Sequence, residues 1–102
     1  MPEIDLYGRE TALICDVLRR HPKVSAAVLY GSRAKGTQRP ESDIDLAIDG
    51  EVDDLQASAI AAEMDDLPLP HRFDVKAYPS IQSDALRDDI RAAGIVIWKN
   101  PQ

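Results

Sequence analysis

The sequence predicts an α/β domain in which a mixed β-sheet carries its helices mainly on one face. Three observations lead there. Short β-branched or apolar runs alternate with stretches of helical period along the 102 residues. Glycine and proline stand at most of the boundaries. One run, Asp43 to Ile48, alternates acidic with apolar residues, as does a strand whose two faces meet different surroundings.

Each element has its own signal. A first helix is predicted over residues 4–20, where Tyr7, Ile14, Val17, Leu18 and His21 fall near one stripe. Arg19 and Arg20 suit the negative end of its dipole, and Pro22 stops it. Val24–Tyr30 is a buried strand, rich in apolar and β-branched residues and broken by Gly31-Ser32. Ser32–Lys35 reads as one helical turn that ends at Gly36. A polar loop over residues 37–42, with Pro40, leads into the acidic-apolar strand, and Asp49-Gly50 signals a turn. Asp53 and Gln56 form a capping box for a helix running to about Leu67. Leu55, Ala59, Ala62, Ile60 and Met64 are expected on its core side, and Pro68 and Pro70 end it. A third strand spans residues 72–78. Ser80 or Ser83 caps a last helix with Leu86, Ile90 and Ala93 on one side. Gly94 sits where a helix end favours positive φ, and residues 95–98 form a fourth strand.

Composition narrows the function. A chain of this length is expected to be one domain, residues 1–102, able to bury about two-thirds of its unfolded surface without staples. Charged residues are 29% of it, and no apolar run approaches the ~20 residues of a membrane span, so no membrane partner is expected. The opening MPEIDLYGRE is polar and unlike a leader. A single cysteine, Cys15, excludes an internal disulfide and a multi-cysteine zinc site, and it reads as a small core residue. The expected home is the cytoplasm. The net charge of −6 argues against direct nucleic-acid binding. The charge is also uneven: residues 1–40 hold seven bases to four acids, and residues 41–66 hold ten acids and no base. Solvated helix faces account for most of that pattern.

Asp43 and Asp45 need another account. Side chains alternate along a strand, so both project from one face while Ile44, Leu46 and Ile48 enter the core. On the third strand Asp74 shares a face with Arg72 and Lys76. If these strands are neighbours, three carboxylates meet on the open face of the sheet. Two like charges at ~4 Å repel by roughly 4 kcal/mol at an effective dielectric of ~20. A divalent cation relieves that repulsion, and Mg²⁺ is commonly held by a few carboxylates together with substrate phosphates. A pair of such ions suits activation of an attacking oxygen and stabilisation of a leaving one in phosphoryl chemistry. Upstream, Gly31 permits close approach of a phosphate to the backbone, and Ser32 with the N–H groups of its turn can donate to it. Arg33, Lys35 and Arg39 add positive charge nearby.

The stretch Gly31-Ser32-Arg33-Ala34-Lys35-Gly36, six residues, then Asp43-Ile44-Asp45-Leu46, resembles the signature of the DNA polymerase beta superfamily of nucleotidyltransferases. It is most similar to the minimal nucleotidyltransferases. Arg72-Phe73-Asp74-Val75 matches the strand that supplies that family's last metal ligand. The resemblance extends from the first helix to Trp98.

It implies a palm-like nucleotidyltransferase domain that binds Mg²⁺ and a nucleoside triphosphate, ATP being the expected substrate. Gly31 and Ser32 would hold the triphosphate, with Arg33 and Lys35 as secondary phosphate contacts. Asp43 and Asp45 would bind both metals, and Asp74 would complete one shell and serve the attacking hydroxyl. Minimal members pair with a small helical HEPN-type protein as antitoxin and toxin, and some transfer AMP to a tyrosine of the toxin. Two alternatives stand beside that expectation: a non-catalytic module that neutralises its partner by occlusion, and half of a small-molecule enzyme of the aminoglycoside type. His21 and His71, each beside a proline, read as turn or capping residues. Trp98 reads as core, and Tyr30 as packing beneath the phosphate turn.

Overall fold

The computed structural model of the chain describes residues 9–36 and 43–101, with Arg9 and Arg33 described by their backbone alone. The predicted first turn at residues 4–8 and the loop at 37–42, with Arg39, lie outside the described residues. The elements run α1 (Arg9–Arg19), β1 (Val24–Tyr30), α2 (Ser32–Lys35), β2 (Ile44–Gly50), α3 (Asp54–Asp65), β3 (Phe73–Ala77), a 3₁₀ turn (Tyr78–Ser80), α4 (Asp84–Ala93) and β4 (Ile95–Lys99). None of the described helices is long and apolar enough to cross a membrane.

The strands form one mixed sheet in the order β3-β2-β1-β4. β1 runs antiparallel to both β2 and β4, whereas β2 and β3 are parallel. A parallel pair cannot be joined by a tight hairpin, and α3 provides the crossover. Alternation on the strands divides the sheet into two faces. Ala27 and Leu29 of β1, Ile44, Leu46 and Ile48 of β2, and Phe73 and Ala77 of β3 are buried in the main core. Ile14, Val17 and Leu18 of α1 and Ala57, Ile60 and Met64 of α3 close that core. Burying each of the larger side chains is worth about 1.5–3 kcal/mol. Trp98 joins the same core, as does Cys15, whose thiol donates to the Ile97 carbonyl.

The opposite face carries a smaller cluster. Tyr30 and Ala47, on the non-core side of β1 and β2, pack against Ile90 of α4, with Val28, Tyr78, Ile81 and Leu86 around them. The two longest helices, α1 and α3, thus share one face, and α4 covers part of the other. His21 meets Glu63 at 2.7 Å and fastens the end of α1 to α3, while His71 lies 3.7 Å from Glu10. Both histidines serve joints between elements.

Several local expectations are corrected. In α3 the buried stripe is Ala57, Ile60 and Met64, whereas Leu55 is 79% exposed and Ala59 and Ala62 face solvent. Alanine surrounds this helix, so the pattern fits two stripes, and the bulk of Ile60 and Met64 selects the buried one. Asp53 does cap α3, accepting from Gln56 N–H at 2.9 Å. Ser83 rather than Ser80 caps α4, accepting from Leu86 N–H at 3.2 Å. Asp49 and Gly50 continue β2 instead of turning. Gly94 has φ −70°, so positive φ is not its reason. A Cβ there would lie 2.3 Å from the Ile90 carbonyl oxygen and 2.5 Å from Val28 Cγ1. Glycine is required because the end of α4 lies directly on β1.

That close approach sets a prediction. Gly94→Ala is expected to destabilise the protein by about 1–3 kcal/mol, the usual cost of forcing a methyl group into a packed contact. Leu55→Ala, on the solvent side of α3, is expected to stay within about 0.5 kcal/mol of the parent. Chemical denaturation of the two variants checks both values.

Candidate functional site

The site forms where β1 ends and β2 and β3 begin. Tyr30 is the last residue of β1 and the register partner of Asp45. Gly31 follows with φ +76°, a conformation that costs a side-chain-bearing residue and not glycine. It turns the chain into α2, where Lys35 N–H donates to the Gly31 carbonyl at 3.2 Å. A Cβ built on Gly31 would lie 2.5 Å from Asp45 Oδ2. The Asp45 carboxylate is therefore seated over the bare Cα of Gly31. Gly31 is needed twice: for the turn and for the space.

Asp45 is also the register partner of Asp74 on β3. Parallel pairing puts both side chains on the face opposite Ile44, Leu46, Phe73 and Val75, as alternation predicts. The Asp74 side chain is 46% exposed, and both of its oxygens contact Lys76 Nζ, at 3.0 and 3.2 Å. Asp43 is exposed and stands one residue before β2, two before Asp45. The fold thus brings Asp45 and Asp74 together and leaves Asp43 at the rim. Among the described residues, no three acidic, histidine or cysteine side chains form a ready-made metal cage. Lys76 supplies a positive charge beside Asp74. The donor chemistry suits Mg²⁺: carboxylate oxygens on one sheet face, with a glycine cradle that any side chain would fill.

The residues expected to contact phosphate follow Gly31 in the chain. Ser32 opens α2 and is half-buried; Arg33 is in the same turn. Lys35 Nζ lies 3.0 Å from Asp89 Oδ1, an ion pair that ties α2 to α4. The sequence expectation of a phosphate contact at Lys35 did not include that partner, which comes from a distant helix.

Tyr30 was expected only to pack beneath the turn. Its ring lies on the carboxylate face, where it packs against Ala47 and Ile90. Its phenol is pushed above the ordinary value, by burial first and then by the charges of Asp45 and Asp74. The signal was present in the alternation: Leu29 enters the core, so its neighbour must take the other side. Along β2, the same face continues past Ala47 into a groove of about 300 Å³ lined by Val28, Tyr78, Ile90, Arg91 and Val96. Arg91 donates to the Tyr78 hydroxyl at 2.8 Å, and Arg87 donates to the carbonyls of Tyr78 and Ile81 at 3.1 and 3.0 Å. These bonds hold α4 over the groove.

The folded phenol of Tyr30 keeps its proton to a higher pH than the unfolded one, whose ordinary value is 10.0. The associated stability is whole below pH 10 and is lost as pH rises above it. Tyr30 is expected to ionise only as the protein unfolds. Tyrosinate absorbance during alkaline titration should show that late step, and Tyr30→Phe should remove it. Ionisation of every phenol with the fold intact would contradict the placement.

Residues 13–102 match the family described as Polymerase beta, Nucleotidyltransferase. A Haemophilus influenzae protein named "Probable protein adenylyltransferase MntA" is 29% identical over 97 residues, covering 93% of this chain and 84% of that one. A crystal structure of a toxin–antitoxin with AMP-PNP superposes with a TM-score of 0.75 at 27% identity, over 90% of this chain and 75% of that one. The rebuilt structure of a tri-AMPylated Shewanella oneidensis HEPN toxin in complex with MNT antitoxin is alike in fold, with a TM-score of 0.68 at 22% identity over 88% and 70% of the two chains. A family match that spans residues 13–102 takes in most of the chain, so the chain belongs to the polymerase beta nucleotidyltransferases and is similar to their MntA-type members.

Proposed function

We propose that this chain is a Mg²⁺-dependent nucleotidyltransferase that transfers AMP from ATP to a hydroxyl of a small helical HEPN-type partner, and so acts as an antitoxin in the cytoplasm. Residues 1–102 act as a single nucleotidyltransferase domain. The observation that carries this reading is the register pairing of Asp45 with Asp74 beside Gly31 and Ser32. The likeness to an MntA adenylyltransferase and to a toxin–antitoxin with AMP-PNP supports the choice of nucleotide and partner.

Each residue has a part. The bare Cα of Gly31 lets the triphosphate approach the backbone, and Ser32 with the N–H groups of its turn donates to it. Arg33 and Lys35 add charge at the flank. Asp43, Asp45 and Asp74 would hold Mg²⁺, which when bound screens the phosphoryl oxygens and acidifies the attacking hydroxyl. Asp74, half open to solvent, accepts the hydrogen bond of the incoming hydroxyl and orients it. The acceptor oxygen bonds to the α-phosphorus as the bond to pyrophosphate breaks, and the hydroxyl proton leaves through Asp74 to water. The partner's contribution is to place its hydroxyl in line, where positioning supplies much of the rate.

Two measurements test the reading. Intact-mass spectrometry of the partner after mixing with this protein, ATP and Mg²⁺ is expected to show the gain of one AMP or a multiple of it. Asp74→Asn should preserve the complex and stop the gain. Neutralisation of the partner without any mass gain, across several nucleotides, would establish occlusion instead. In thermal melts, Mg²⁺–ATP at 100 times its dissociation constant should stabilise the parent by about 2.7 kcal/mol. Asp45→Asn should lose most of that shift, and an unaltered shift would remove the carboxylate from the site.

A further inference from the structure

Lys76 has no part in the chemistry above, yet among the described residues it is the cation in contact with Asp74. Its ammonium straddles the carboxylate, 3.0 Å from Oδ2 and 3.2 Å from Oδ1. The pairing follows from the strand. Phe73 and Ala77 are buried in the main core and Val75 packs against it, so Asp74 and Lys76 are left together on the opposite face. The two side chains are 46% and 39% exposed, and a pair that open to water contributes little to stability. Its position matters more than its strength. Asp74 stands opposite Asp45, and the charges of both reach Tyr30. Lys76 therefore places a positive charge on the oxygens that a divalent ion would need.

We infer that Lys76 is a placeholder cation, which occupies Asp74 in the nucleotide-free protein and makes metal loading depend on the nucleotide. The inference rests on the reading of Asp74 as a metal ligand. A bare divalent ion that binds Asp74 must displace the ammonium or share the carboxylate with it, and in the second case the two positive charges repel. An ion that arrives with a triphosphate brings negative oxygens to which the displaced ammonium can turn. Lysine suits that exchange, because its charge is compact, its stem is flexible and its three donors rotate freely. The same side chain thus opposes the free ion and favours the ion bound with nucleotide. By linkage, the nucleotide raises metal affinity by the factor by which the metal raises nucleotide affinity. Lys76 is accordingly a positioning residue that sets this coupling.

The test is Mn²⁺ binding, followed by the electron paramagnetic resonance of the free ion, with and without a non-hydrolysable ATP analogue. Lys76→Met is expected to bind Mn²⁺ alone about tenfold more tightly than the parent, the scale of an exposed charge contact doubled for a divalent ion. The gain in Mn²⁺ affinity on adding the analogue should shrink by a similar factor. Lys76→Arg keeps the charge and should bind Mn²⁺ alone no more tightly than the parent, and Asp74→Asn should abolish the effect of Lys76→Met. Lys76→Gln, with a thermal melt of each variant, provides a second readout should the methionine perturb the fold. If Asp74→Asn weakens Mn²⁺ binding but Lys76→Met and Lys76→Gln leave it unchanged, the placeholder role is refuted and the metal site stands. If Mn²⁺ binding is indifferent to Asp45→Asn and Asp74→Asn alike, the metal site itself is refuted, and the role of Lys76 goes with it.

Discussion

The seating of the Asp45 carboxylate over the Cα of Gly31 is the contact on which the rest of the site depends. It requires the left-handed backbone at Gly31, which also ends β1 and starts α2. It fixes the height of Asp45 above the sheet, beside Tyr30 and opposite Asp74. A larger residue at Gly31 would have to shift either the carboxylate or the turn into α2. The turn proposed to bind anions and the carboxylate proposed to bind a cation are therefore one piece of geometry. A site for a metal–nucleotide complex needs both signs of charge close together, and this contact brings them there.

The two faces of the sheet divide the work. Alternating residues of β2 go to a core that α1 and α3 close, and the intervening residues carry charge to the other side. On the apolar face a polar group without a partner is costly. The acidic face tolerates repulsion because water, lysine or a metal ion can relieve it. α4 stands between these roles. Ile90 packs on Tyr30 and Ala47, Asp89 holds Lys35 of the phosphate turn, and Gly94 lets the helix end lie against Val28. The helix thus supports the site from the side that α1 and α3 leave open.

Much of this was legible in the residues. Strand alternation placed Asp45 and Asp74 on the non-core face, and the glycine-serine break located the turn. Proline and the Asp53 cap marked the helix ends. What was hidden depended on contacts between distant segments. The register of β2 on β3 follows from the crossover through α3, which no local pattern encodes. The buried side of α3 was ambiguous because alanines surround it, and the bulk of Ile60 and Met64 decided it only against the assembled core. Gly94 resembled a positive-φ helix end, whereas its cause is the nearness of Val28. Asp89 as the partner of Lys35 could not be read from either stretch alone.

The most direct measurement is calorimetry of Mg²⁺ with a non-hydrolysable ATP analogue, titrated into Gly31→Ala alongside the parent. The added methyl group falls 2.5 Å from Asp45 Oδ2, on the sheet face opposite the core that α1 and α3 close. The account predicts a variant that stays folded and binds its partner but holds the nucleotide at least about tenfold more weakly, a loss of about 1.4 kcal/mol. Nucleotide affinity equal to the parent's would contradict it, because the turn and the carboxylate would then not be one site.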